Sequence, residues 1–522
     1  MKNPNCILFL VLTIFFQQLS AQSKYEFRGV WVATVENIDF PSSKFLSSEQ
    51  QKNEFIKLVE MNKRNGMNAL IVQIRPVSDA FYPSGYEPWS EYLSGVQGKP
   101  PSPYYDPLKF MITETHKRGM EFHAWMNPYR AEFRVGKSSI SPLHVTKLHP
   151  DWFITYGHTK YFDPGNKDAQ NFVVNVVRDV VKRYDIDAIH FDDYFYPYRI
   201  SGKEFDDATS YAKYGNGLSR DAWRRSNVDS IILNLSKAIK EEDPYCQFGI
   251  SPFGVWRNID KDPDGSNTKA GVTNYDDLYA DILLWLKMKW IDYVVPQLYW
   301  EVSQKVVGFK VLTDWWARHT YGRQLYIGQG IYRALESRSY AWKNKKELPD
   351  QIQFLRKYPE IQGSAFFSSS TFNSNPNGWN DSLKNNYYKY PAIPPPMPWI
   401  DSIKPDKPLF ETNGSKSAFY TTSIDFYLHE KVIDDLINRY VIYQFNDLRN
   451  LDVNDPKNIK EIIVSGNNFY HFIFDNIPSS QNKIVIAATA LTKTNNESAP
   501  SDYIYLERKN NGWQIINQSE HD

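Results

Sequence analysis

Eight short apolar runs, each followed by a longer polar or amphipathic stretch, succeed one another between residues 27 and 370. They read FRGVWVAT (27–34), ALIVQIRP (69–76), EFHAWMNP (121–128), AIHFDDYF (188–195), QFGISPFG (247–254), YVVPQLYW (293–300), QLYIGQGI (324–331) and GSAFFSSS (363–370). Stretches such as QKNEFIKLVEMNKRNGM (51–67), DPLKFMITETHKRGM (106–120), NFVVNVVRDVVKRYDI (171–186) and DSIILNLSKAIKEED (229–243) lie between them with helical periodicity. In the second, Asp106 is placed to cap a helix, Pro107 to take its first position and Gly119 to end it. Strand and helix repeated eight times over about 340 residues predict an α/β fold, a (β/α)8 TIM barrel spanning residues 24–375. An open doubly wound sheet would carry fewer units and a Gly-rich first turn. No G-x-G-x-x-G or P-loop follows any of the eight runs.

The texture changes after residue 375. Residues 376–404 hold Asn, Ser and PAIPPPMPWI and read as a Pro/Asn-rich linker or wrapped segment. From 405 to 515, the alternating runs FYLHE, RYVIYQF, NFYHFIF, NKIVIAATAL and DYIYLERK predict a small all-β sandwich. At the other end, residues 1–22 run from a Lys through an apolar stretch (Ile7 to Phe16) to Ser20-Ala21-Gln22. That is the order of a secretory signal cleaved near residue 22, and the apolar stretch is too short to span a bilayer. Cys6 would leave with it, so Cys246 remains as a single, buried thiol and an exported life rests on the core rather than on a disulfide. The mature chain is expected in the periplasm or outside the cell, without a membrane span.

With 60 Lys+Arg against 60 Asp+Glu, the chain has no basic excess, which argues against a nucleic-acid partner. Aromatic residues make up 16 %, a supply of flat rings suited to stacking on weakly charged ligands.

Chemistry in such a barrel belongs at the C-terminal strand ends, and several runs are unusually polar there. Alternation places Gln73 with Arg75, His123 with Trp125 and Asn127, His190 with Asp192, and Gln297 with Tyr299 and Glu301, each set on one face. Polar groups cost free energy at such positions unless paired, so their clustering at one rim predicts a site. Asp192, Asp193 and Glu301 are the candidate catalytic carboxyls, because glycosidic hydrolysis asks for one protonated and one ionised carboxyl flanking the bond. Arg75, His123, Asn127, Arg130 and Gln297 are placed to position a sugar. Trp125, Tyr129, Tyr194, Trp256, Tyr299 and Trp300 offer rings for it to stack on. The sequence calls for no cofactor. His123, His190, Asp192 and Asp193 lack H-x-x-x-H or comparable metal-ligand spacing. Asp260-Lys-Asp262-Pro-Asp264-Gly265 opens like a calcium loop, but its twelfth position is Gly271, so it reads as a structural or substrate-side loop.

FRGVWVATVENIDFP, VQIRPVSDAFYPSGYEPWSEYLSG, HAWMNPYR, HFDDYFYPY, GISPFGVWRN, DYVVPQLYWE and GQGIYR together resemble the glycoside hydrolase-like 10 family, exported bacterial barrels related to a divisome-associated peptidoglycan glycosidase. The resemblance implies a (β/α)8 glycosidase acting on cell-wall glycan, including strands stripped of their stem peptides. Asp192 and Asp193 match its D-D and Glu301 its W-E. RYVIYQF and KIVIAATALTKTNNESAPSDYIYL resemble a fibronectin type III module, which often follows this barrel. Two other functions fit the same residues: a glycan-binding barrel without turnover and a metal-dependent polysaccharide deacetylase.

Overall fold

A computed structural model describes residues 22–412, 418–430, 436–466, 469–475, 477–509 and 512–516. The signal-peptide reading of residues 1–22 falls, apart from Gln22, outside the described residues.

Eight parallel strands close into a barrel in sequential order. Numbering only these, they are β1 (Phe27–Val32), β2 (Ala69–Arg75), β3 (Glu121–Met126), β4 (Ala188–Phe191), β5 (Gln247–Ile250), β6 (Tyr293–Val294), β7 (Gln324–Gln329) and β8 (Ile361–Phe366). Each overlaps one of the eight apolar runs, β8 starting two residues ahead of its run, and the C-terminal part of each run turns out of the sheet. Helices of 17, 10, 17 and 23 residues follow the first four strands, at Ser48–Arg64, Pro107–His116, Lys167–Arg183 and Arg220–Glu242. The Pro107 helix is built as its sequence signals it: Asp106 accepts a hydrogen bond from the Lys109 amide and Pro107 takes the first turn. Gly119 reverses the chain at φ 65°, where a side chain would be strained.

Inward-facing residues form the barrel's own core. Phe27, Trp31, Ala69, Ile71, Trp125, Ala188, Tyr293, Tyr326 and Ala365 pack together there. Gly249 makes room for the Tyr293 ring, whose carbons would lie 1.9–2.4 Å from a Cβ at that position. Outward residues of the strands join the helices in one larger core, with Cys246 buried and unpaired within it. An unanticipated excursion lies between β3 and β4: a three-stranded antiparallel sheet of Arg130–Glu132, Phe153–Tyr156 and Thr159–Phe162.

The proline-rich segment closes the opposite end of the barrel. Met397 joins the interior core with Trp399 and Ile400 packed beside it, and Trp399 donates to the Asp292 carboxylate at 2.9 Å. Beyond it lie a three-stranded sheet (Leu409–Thr412, Ser423–His429, Phe469–Ile473) and a six-stranded sheet containing Ile437–Phe445 and Lys483–Thr492. Both sheets contribute to one shared core, as period-two burial along Ser423–His429 requires. The other face of the six-stranded sheet meets the barrel's N-terminal end. There Lys24 pairs with Glu497 at 2.6 Å, and Asn495 donates to Glu121 at 2.8 Å. This β unit thus closes the floor of the barrel and leaves the mouth open. Among the described residues, no helix is long and apolar enough to cross a membrane.

Candidate active site

Asp192 continues the inward alternation of Ala188 and His190 just past the end of β4. Its carboxylate accepts hydrogen bonds from Trp125 Nε1 at 3.0 Å and from Asn127 Nδ2 at 3.0 and 3.1 Å. Asp193 follows where strand pairing has ceased, so it too turns toward the mouth, and it accepts a short hydrogen bond from the Tyr198 hydroxyl. Both carboxyls are buried. They line a cavity of about 350 Å³ at the C-terminal mouth with Trp31, Gln73, Trp125, Arg130, Tyr194, Tyr198, Ser251, Gln297, Tyr299, Tyr332 and Phe367.

Burial and the neighbouring Asp192 charge push Asp193 up to about 7. Burial also raises Asp192, but the Arg130 guanidinium and the Asn127 and Trp125 donors act against it. Two adjacent carboxyls therefore sit in unlike environments: Asp193 is poised to hold a proton near neutrality, while Asp192, though also raised by burial, has Arg130, Asn127 and Trp125 beside it to favour its charged form. Below them, burial drives His190 far below its ordinary value, so it is a neutral ring bonded to Trp31, Ser251 and Tyr293.

A family model described as Glycosyl hydrolase-like 10 matches residues 26–344. The chain belongs to the glycosyl hydrolase-like 10 family. Glycosyl hydrolase YngK of Bacillus subtilis (strain 168) is 50 % identical over 394 residues, covering 74 % of this chain and 77 % of that one. Glycosyl hydrolase DigH of Escherichia coli (strain K12) is 36 % identical over 377 residues, 67 % of this chain and 85 % of its own. Among solved structures, the PgaB (BpsB) glycoside hydrolase domain of Bordetella bronchiseptica aligns at a TM-score of 0.44 and 13 % identity, over 69 % of this chain and 98 % of that one. As a glycosyl hydrolase-like 10 protein, the chain is a glycosidase acting on glycan.

The mouth of this glycosyl hydrolase-like 10 barrel gathers seven of the fourteen residues expected there: Trp125, Arg130, Asp192, Asp193, Tyr194, Gln297 and Tyr299. Asn127 stands directly behind them, fixing Asp192. The others lie elsewhere, for physical reasons. Glu301 does not line the cavity. β6 ends at Val294, so extended alternation fails before residue 301, and Glu301 turns away to accept from Ser339 Oγ at 3.0 Å. Glu301→Gln should therefore keep close to wild-type kcat, and a severe loss in a turnover assay would restore it to the site.

Arg75 is shifted out of the interior by a register irregularity between Gln73 and Arg75 in the β2–β3 pairing. It forms a buried ion pair with Glu87 at 2.5 Å and does not line the cavity. Breaking that pair with Glu87→Gln would strand the guanidinium and should cost about 3–5 kcal/mol of stability, measurable by urea unfolding.

His123 lies one interior layer too deep, bonded to Tyr293 at 2.8 Å and Glu121 at 3.0 Å. Tyr129 is fully buried near Phe162. Trp256 stacks on Trp315 and donates to Asp281, and Trp300 packs edge-on against Phe253. In the polar loop, Asp262 is held by Arg257 at 3.0 Å, a structural role.

Trp31, Phe133, Ser251, Tyr332 and Phe367 line the mouth without having been singled out. Trp31 and Ser251 were reachable by the alternation rule, since each is an inward position of β1 or just past β5. Phe133, Tyr332 and Phe367 lie in loops, where alternation has no force.

Proposed function

We propose that this protein is exported and hydrolyses glycan strands of the bacterial envelope, most specifically peptidoglycan strands freed of their stem peptides. Asp193 serves as the general acid and Asp192 as its ionised partner. The observation that carries this reading is the pair of strand-end carboxyls held in unlike environments within one aromatic-lined cavity. A sugar ring stacks on Trp125 and Tyr299, and Asp193 gives its proton to the departing glycosidic oxygen. Asp192, oriented by Asn127 and Trp125, stabilises the positive charge that develops at the anomeric carbon; a water oxygen bonds to that carbon in place of the departed sugar, and the proton it sheds returns to the carboxyl pair so that Asp193 is protonated again. Gln73 adds a side-chain nitrogen with no protein partner at the cavity wall, a donor for a sugar hydroxyl.

Export is supported by the order of residues 1–22, and the envelope as target by the resemblance to a peptidoglycan glycosidase. The domain reading is a catalytic barrel over 24–375, a strap over 376–404 and a fibronectin type III-like module over 405–515. The two sheets facing a shared core support that last assignment. The deacetylase alternative finds less support: His123 and His190 are engaged in the barrel core. Among the described residues, no three His, Cys, Asp or Glu side chains gather where they could hold a metal ion.

Mass spectrometry of products from purified peptide-free and peptide-bearing strands tests the proposal. Shortened oligosaccharides with new reducing ends from the peptide-free strands are expected. Binding without new ends would favour the glycan-binding reading, and chelator-sensitive release of acetate the deacetylase.

A further inference from the structure

Five arginines in the described residues are buried to 5 % exposure or less: Arg28, Arg75, Arg130, Arg224 and Arg439. Four of them have a carboxylate partner, Glu26 at 2.8 Å, Glu87 at 2.5 Å, Asp207 at 2.7 Å and Glu121 at 3.6 Å respectively. Arg130 differs: among the described residues its guanidinium makes no ion pair and no hydrogen bond. What holds it is aromatic. Its guanidinium carbon lies 4.3 Å from the centre of the Tyr194 ring and 5.1 Å from that of Phe133. Its backbone is fixed by an amide bond to Asn127 Oδ1 at 2.7 Å, and Asn127 in turn grips Asp192. Arg130 therefore faces the same cavity as the two catalytic carboxyls, with its fork of donors free.

A buried cation without an ion-pair partner is costly, and a guanidinium packed against two rings with its donors unused is preorganised for a planar anion. Asp192 makes no ion pair or hydrogen bond with this guanidinium and feels it only as a charge that works against the upward push of burial. We infer that Arg130 receives a carboxylate carried on the substrate sugar, so that this mouth selects acidic glycans over neutral ones of the same backbone. This rests on the reading that the mouth binds a glycan. An acidic sugar completes the site twice over, giving the arginine its bidentate partner and placing the ring beside Asp192 and Asp193.

Titration calorimetry in an Asp193→Asn background, where turnover is blocked, separates recognition from catalysis. The probes are a peptide-free murein tetrasaccharide with free lactyl carboxylates, and the same oligosaccharide with those carboxylates converted to neutral amides. The acid should bind about 10–100-fold more tightly than the amide. Adding Arg130→Gln should make the two affinities equal, while Arg130→Lys should restore part of the difference. Equal affinities with Arg130 present, a preference that survives Arg130→Gln, or no binding of either probe would each overturn the inference. A clear preference for the acid together with no new reducing ends from the wild-type chain would leave the inference standing and defeat the proposed hydrolysis instead.

Discussion

Replacing Asp193 with asparagine is expected to lower kcat on glycan strands by about 10²–10⁴-fold, the contribution of a positioned general acid. The loss should depend on the leaving group. An aryl glycoside with a very acidic phenol leaves without protonation, so Asp193→Asn should approach wild-type turnover on it; an undiminished defect there would assign Asp193 another role. The same substitution should not weaken the fold. The Asp193 carboxyl sits at about 7 when folded against about 3.9 unfolded, so folding takes up a proton between those values. Its stabilising contribution is full below about pH 3.9 and lost as pH rises through about 7. An amide at this position has no such dependence. The thermal midpoint of the Asp193→Asn chain should therefore overtake that of the wild type between about pH 4 and 7 and keep its lead above. A variant that melts lower at every pH would show that its low activity reflects misfolding.

Asp192→Asn should be at least as damaging, about 10³-fold or more in kcat, and the loss should persist on the activated aryl glycoside. Trp125 and Asn127 point three hydrogen bonds at this carboxylate, and Arg130 adds a positive field. These contacts work against the burial that raises Asp192 and favour its charged form, which a neutral amide cannot supply to a positive transition state whatever the leaving group. Similar leaving-group dependence in both variants would collapse the division of roles between the two residues.

The barrel was legible because its period is long and repeated: each strand overlaps an apolar run, and each of the first four helices overlaps an amphipathic stretch. The mouth was legible only as far as strand geometry extends. Trp125 and Asp192 continue the inward alternation of β3 and β4, and Gln297 and Tyr299 hold their places beside the neighbouring strand ends. Where backbone regularity fails, so does the rule. The irregularity beside Arg75 moves it to Glu87, and the two-residue β6 leaves Glu301 without a reason to face inward. His123 marks a different limit: alternation says which face a residue takes but not how deep its layer lies. The proline-rich segment was expected as a linker or a wrap, and it is a strap because Met397, Trp399 and Ile400 supply an apolar plug for the barrel floor.

The most direct test of the account is kcat/KM against pH for the wild type and for Asp193→Asn, on a glycan substrate whose departing sugar needs protonation. The wild type should lose activity as pH rises through about 7, where Asp193 gives up its proton, and the residual activity of Asp193→Asn should lack that limb. An alkaline limb that persists unchanged in Asp193→Asn would contradict the assignment of Asp193 as the acid on which the mechanism depends.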